Sequence, residues 1–231
     1  TNDNIFLIKG GNSTIFGSGS IGGSINIDSK KIRNQKISSN VNFESGSNGL
    51  SSQSYSAKYG DDIVSFYILH SKLKDKNKFK FTNISQAGSP RQTNNHGKIV
   101  SFQNKLDLNF KLHPNIIIHF NYWGDNSIRE VPQNMTIRFT DAMQYDVNDR
   151  ISISSTYSVK NLSYKISKAL IYEDFRYTEE IKNIDSQYLA SKEFNNFDLS
   201  YTFKNLIFQS AISYNKNKIN NNNFENNKQK D

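Results

Sequence analysis

The sequence has no cysteine and only three prolines in 231 residues. No disulfide can staple the fold, a condition that suits many compartments and decides none. No run approaches the ~18 apolar residues needed to cross a bilayer as a helix. Hydrophobic residues make up only 35% of the chain and mean hydropathy is -0.69, low for a compact soluble core. Aromatics, at 13%, are too frequent for a disordered chain. A β-barrel wall reconciles the two, because half of each strand faces lipid and half faces a polar lumen.

Catalytic chemistry is also missing. The four histidines, His70, His96, His113 and His119, show no metal-ligand spacing, and the serines fall on alternating strand faces with no nucleophile elbow. No enzyme activity, metal or cofactor is expected. The net charge of +8 and pI near 9.4 come without a recognition helix or an RNA-binding aromatic motif, so no nucleic-acid partner is expected.

What is present is a two-residue period. Phe102, Leu106, Leu108, Phe110 and Leu112 alternate with Gln103, Lys105, Asp107, Asn109 and Lys111, which a helix would not sustain. The same alternation runs through Val41–Phe43, Tyr55–Tyr59, Val64–Ile68, Ile116–Tyr122, Ile151–Val159, Leu162–Tyr172, Phe197–Phe203 and Leu206–Tyr214, about nine strands in all. Tight turns fall near Asp61, Pro114, Lys160 and Lys204. Long polar segments, 72–98, 124–148 and 177–193, are read as loops between them. Short connections on one side and long ones on the other are the pattern of an outer-membrane barrel. Tyr59, Tyr122, Trp123, Tyr172, Tyr177, Tyr201 and Tyr214 lie near strand ends, where interfacial girdles form, although β-propensity alone also places aromatics in strands.

Half of the 12 glycines, Gly10, Gly11, Gly17, Gly19, Gly22 and Gly23, crowd into one stretch, KGGNSTIFGSGSIGGSINI. Gly17 to Gly22 fits G-x-G-x-x-G. That fingerprint needs a following helix to hold a pyrophosphate, and a Gly-Gly pair and a β-like run follow instead. The stretch resembles the end of the plug domain of TonB-dependent outer-membrane receptors. The resemblance rests on a hydrophobic run Ile5–Ile8, Lys9-Gly10, Ser13-Thr14-Ile15-Phe16-Gly17, and Gly22-Gly23-Ser24-Ile25-Asn26-Ile27. Gly11 stands where the family usually has proline. Tyr122-Trp123-Gly124, Arg129-Glu130-Val131-Pro132, Gln144-Tyr145-Asp146 and Asp149-Arg150 resemble the third hairpin of the cobalamin and iron-chelate receptor group.

The resemblance implies an all-β chain: a partial antiparallel transmembrane β-barrel over residues 31–231, preceded by the C-terminal end of a plug over 1–30. The plug-end residues are Gly10, Gly17, Gly19, Gly22, Gly23, Ile25 and Asn26. Such a chain is a fragment of an energy-coupled transporter of the Gram-negative outer membrane, without the segment that contacts TonB. It takes up a scarce chelate, siderophore-iron or a vitamin B12-like compound. Its other partners are outer-membrane lipid, lipopolysaccharide and the TonB complex. Candidate ligand contacts on the outer loops are Arg91, His96, Arg129, Glu130, Arg138 and Tyr145. The lysine run from Lys72 to Lys80 has three readings: simple solvation, ligand steering, or the phosphates of lipopolysaccharide. The alternative function is a non-transport outer-membrane or surface β protein, an adhesin or a passive porin. The plug-end stretch discriminates, because a passive porin has no plug.

Overall fold

The computed structural model describes residues 4–9, 23–28, 35–132 and 140–221. Two short strands, β1 (Asn4–Lys9) and β2 (Gly23–Asp28), pair antiparallel. Gly23, Ile25 and Asn26 lie in β2 opposite Lys9, Leu7 and Phe6. Gly10, Gly17, Gly19 and Gly22 lie outside the described residues.

The remaining strands are β3 (Gln35–Ser45), β4 (Ser51–Gly60), β5 (Val64–Asp75), β6 (Lys80–Thr82), β7 (Arg91–Thr93), β8 (Ile99–His113), β9 (Ile116–Glu130), β10 (Met143–Val159), β11 (Leu162–Glu179), β12 (Ile184–Phe203) and β13 (Leu206–Asn221). Nine of them form one antiparallel sheet that follows chain order, β3-β4-β5-β8-β9-β10-β11-β12-β13, with β3 and β13 at its edges. The small β6–β7 hairpin sits inside the β5–β8 connection. The expected antiparallel barrel wall is what these residues form.

Directly paired residues share a face, so the registers sort every side chain. One row runs Tyr59, Phe66, Leu108, Phe120, Ile153, Lys168, Asn195, Tyr214. The next row toward the short turns runs Val64, Phe110, Ile118, Ser155, Ile166, Phe197, Ile212. This face carries the apolar residues, and most of them are solvent-exposed. Among the described residues only Ala142 and Ala190 are buried hydrophobics. Among the described residues this is a single sheet without a packed core, and its apolar side is its exposed side, the mark of a face that meets another protein or a membrane.

The apolar residues form a band that crosses the rows obliquely. In β3 it covers Val41 and Phe43, in β5 Val64 to Ile68, in β9 Ile116 to Tyr122, and in β12 Phe197 to Phe203. From β3 to β13 its centre slips by about five rows, each two residues or ~6.8 Å, over strand spacings of ~4.8 Å. That slope puts the strands at about 40° to the normal of the band, within the tilt of outer-membrane barrels. In β11 the band runs from Leu162 to Tyr172, about 33 Å along the strand. At that tilt it is about 25 Å tall, the height of a barrel's lipid-facing belt. Lys168 lies inside this stretch, and its ammonium ion reaches Glu193 at 2.7 Å, one row nearer the band's upper border, as a snorkelling lysine does.

Connections at one end are two or three residues long, at 61–63, 114–115, 160–161 and 204–205. Asp61 illustrates their construction. Its carboxylate accepts N–H bonds from Val64 at 2.7 Å and Ile63 at 2.8 Å and the Tyr59 hydroxyl at 2.8 Å. The Val64 bond, then the Tyr59 and Ile63 bonds, hold its pKa below the usual aspartate value.

Three features of the sequence reading change. The segment read as a third loop, 177–193, is almost all strand: β11 and β12 meet at a 3-10 turn, Glu180–Lys182, closed by Asn183 in the left-handed region. The segment 124–148 is strand at 124–130 and 143–148, and β13 continues to Asn221. In these extensions polar residues also occupy the outward face, at Asn126, Asp185, Ser191 and Lys218, so the two-residue period weakens while the backbone ladder continues. Of the aromatic girdle residues, Trp123 and Tyr177 fall on the face opposite the band, paired with Arg150 and Ser186.

Candidate functional site

The strands extend beyond the band at the end with long connections, and there the connections are tied to one another. The β5–β8 connection is ordered by its own amides. The Asp75 carboxylate accepts the Asn77 N–H at 2.7 Å, Asn83 caps Ser85 at 3.0 Å and donates to Gln92 at 3.1 Å, and Asn94 donates to the Asn77 carbonyl at 2.8 Å. Asn83 and Asn94 are buried. Polar burial of this kind persists only when it is hydrogen-bonded.

Glu130, the last residue of β9, joins that connection to the next. One of its carboxylate oxygens accepts the backbone N–H of Gly97 and of Lys98, each at 2.9 Å, and the Glu130 N–H donates to the Lys98 carbonyl at 2.8 Å. His96 Nδ1 lies 3.8 Å from the same carboxylate. Its Nε2 is 2.9 Å from the Ala142 carbonyl, so Nε2 carries the proton. The Val131 N–H donates to that carbonyl as well, at 2.9 Å. Burial alone would raise the Glu130 pKa. The Lys98 and Gly97 N–H bonds and the charges of His96 and Lys98 outweigh it and hold the group below its ordinary value.

A second carboxylate continues the tie. Glu179 accepts from Lys182 at 2.9 Å, Tyr177 at 3.0 Å and Thr140 at 3.5 Å, while the Ile181 N–H donates to Asp141 at 3.1 Å. The β5–β8 connection, the β9–β10 connection and the β11–β12 turn are thus one linked rim.

The face opposite the band is polar with aromatic inserts. Arg129 pairs with Asp146 at 2.9 Å, and Ser127 and Gln144 also donate to Asp146. Lys105 pairs with Asp107 at 3.2 Å, Lys192 with Glu173 at 2.9 Å, and Asn121 donates to Asp107. The guanidinium of Arg150 stands 4.9 Å over Trp123, the single tryptophan. His119, on this face, bonds Asn109 at 2.9 Å.

The candidate contacts therefore separate. His96 and Glu130 meet, with Arg129 the neighbouring residue on the other face. Arg91 is exposed at the start of β7. Tyr145 is on the outward face above the band, where it lines a shallow depression with Arg176, Thr178 and Asp185. Arg138 lies outside the described residues. Asp141, Glu179 and Lys182 were missed because their segment carries no periodic signal. Among the described residues no cluster of three His, Cys, Asp or Glu is placed to hold a metal.

No family model matches the sequence, and no curated protein matches it. Solved structures do match. The siderophore receptor PirA from Pseudomonas aeruginosa superposes with a TM-score of 0.64 at 14% identity, over 94% of this chain and 36% of its own. The copper transporter OprC gives 0.67 at 12%, over 93% and 33%. FpvAI, from its complex with pyocin S2, gives 0.62 at 12%, over 95% and 33%. The chain spans about a third of the length of each. At this identity the likeness is one of fold: the described residues form a tilted antiparallel wall of the kind these receptor and transporter structures contain.

Proposed function

We propose that residues 31–231 are wall strands of an outer-membrane receptor of the TonB-dependent type, that residues 1–30 are the end of its plug, and that the whole protein takes up a scarce chelate by energy-coupled transport. The observation that carries this reading is the oblique apolar band, ~25 Å tall, with two- or three-residue turns at one edge and a tied rim of longer connections at the other. The long end faces outward from the cell and receives ligand. An inner-membrane TonB complex acts on the plug from the other side. The protein is a transporter rather than an enzyme, and its location is the outer membrane of a Gram-negative bacterium.

The ligand is anionic on this reading. Between residues 76 and 98 stand Lys76, Lys78, Lys80, Arg91 and Lys98 with no aspartate or glutamate. Arg91 on its exposed hairpin can make a charge-assisted bond to a ligand oxygen, the rim residues His96 and Glu130 position the connections around it, and Arg129 lies on the opposite face beside Glu130. Arg138 and Tyr145 complete the candidate set. Ferric siderophores and cobalamins are the compounds to screen.

The test uses intrinsic tryptophan emission, to which Trp123 contributes, as reporter. The full-length protein in detergent is titrated with ferric siderophores and cobalamins while its tryptophan emission is followed. Saturable change with one class, weakened roughly tenfold by Arg91→Gln, supports the reading. If no chelate binds and proteoliposomes instead pass small solutes by diffusion, the passive porin is correct.

A further inference from the structure

The outward face above the band is unevenly charged. On β10, β11 and β12 its carboxylates are each engaged: Asp149 by the Tyr122 hydroxyl at 2.9 Å, Asp174 by Gln187 at 3.1 Å, Asp185 by Arg176 at 2.7 Å and Glu193 by Lys168 at 2.7 Å. On β3, β4, β5 and β8 the outward positions carry no carboxylate at all, and β9 has only Glu130, committed to the loop tie. Two outward lysines stand in that half, Lys72 and Lys74 of β5, and no carboxylate among the described residues forms an ion pair with either.

The fold divides the lysine run. Lys72 lies in the row Phe43, Gln53, Lys72, Phe102, and its ammonium ion sits 5.0 Å over the Phe102 ring. Lys74 follows one row higher, between Ser51 and Val100. Lys76 lies with its stem against Gly49, 2.9 Å from where a Cβ there would stand. Lys78 and Lys80 belong to the connection beyond the sheet. Only Lys72 and Lys74 therefore face the surroundings of the wall. The last apolar outward residue of β5 is Ile68, and four residues up a strand tilted by about 40° places Lys72 about 10 Å above it, at the level of lipid headgroups rather than in bulk solvent.

We propose that Lys72 and Lys74, with Phe43 and Phe102 at their sides, bind the phosphate groups of an anionic lipid in the leaflet at the long-connection end. The inference rests on the barrel reading above. Phosphate supplies the charge that the protein withholds from this half of its outer face. The aromatic rings receive the lipid's apolar portion next to its headgroup.

The experiment is native mass spectrometry of the full-length protein released from detergent in the presence of a bisphosphorylated lipid A, its dephosphorylated form, or inorganic phosphate. The wild type retains the bisphosphorylated lipid and not the dephosphorylated one. Lys72→Gln with Lys74→Gln lowers retention by roughly tenfold to thirtyfold, at about one lysine's worth of headgroup attraction each. The Lys72→Arg and Lys74→Arg pair keeps it. Lys111→Gln with Lys165→Gln, on the opposite face, leaves it unchanged. Equal retention by the Gln pair and the wild type, both inserted in vesicles, overturns the site and leaves the barrel standing. Displacement by millimolar inorganic phosphate with no preference for the lipid also overturns it. Failure of the wild type to insert into vesicles overturns the barrel reading and this inference with it.

Discussion

At the residue scale, Glu130 does most to hold the candidate site together. Two backbone N–H groups and one histidine converge on its carboxylate, and bonds to a charged acceptor are among the stronger ones. Its pKa is depressed in the folded protein. The stabilisation is therefore complete above the ordinary glutamate value and is lost as pH falls through the lower folded value. Amide exchange at Gly97 and Lys98 should stay slow at pH 6 and accelerate on acidification into that lower range. Glu130→Ala should give fast exchange already at pH 6, by roughly tenfold, the worth of about 1.4 kcal/mol of lost hydrogen bonding. Unchanged protection in the variant would remove Glu130 from the rim.

Gly124 tests a different contact at the same scale. A Cβ there would stand 2.4 Å from the Tyr122 hydroxyl and 2.9 Å from Asp149 Oδ1. Only glycine lets Tyr122 fold across to its 2.9 Å bond with Asp149, the residue paired with Gly124. Gly124→Ala should cost about 1–3 kcal/mol of unfolding free energy. Much of that cost should disappear in a Tyr122→Phe background, because the two changes break one contact. Additive costs in that double-mutant cycle would show that the contact is not shared.

At the element scale, legibility in the sequence followed the apolar band. Where β8 crosses the band, Leu106, Leu108 and Phe110 alternate with Lys105, Asp107 and Asn109, so strand, register and turn were all readable. Above the band polar residues enter the outward face as well, and the alternation weakens. Residues 184–193, IDSQYLASKE, are polar at six of ten positions and keep no alternation, yet they form a continuous ladder with β11. Cross-strand pairs such as Lys192 with Glu173 and Arg176 with Asp185 add a little to it. The candidate site was readable only as residue types. Nothing in the spacing of His96, Glu130 and Ala142 announces that they meet, because their meeting depends on the strand pairing Ile99 with Arg129. Protease sites inserted by point substitution separate the two readings. A site near Ser85–Ala87 should be cut in the folded protein, and one at Ala190–Lys192 should resist. Equal cutting would restore the third loop and shorten β11 and β12.

At the scale of the whole molecule, the apolar band is a prediction about depth. Because the strands are tilted, residues in one hydrogen-bonded row sit at different depths: Ile153 is near the middle of the band, while Asn195 in the same row is at its border. A charge placed outward should thus be penalised by depth and not by row or by exposure. Ile153→Arg should destabilise the inserted protein by about 2–4 kcal/mol. Ile128→Arg is also outward, but it lies three rows above Tyr122, the top of the band in β9, and should cost about 0–1 kcal/mol. Ser154→Arg, one residue from Ile153 and on the opposite face, should be similarly mild, because that face is already lined with Lys105, Arg150 and Lys192. The measurement is reversible unfolding of the full-length protein in vesicles. Both isoleucines are comparably exposed, 50% for Ile153 and 44% for Ile128, so a water-facing sheet would respond to the two substitutions alike. A large cost at Ile153 alone requires a hydrocarbon layer at that height and fixes the wall's orientation within it.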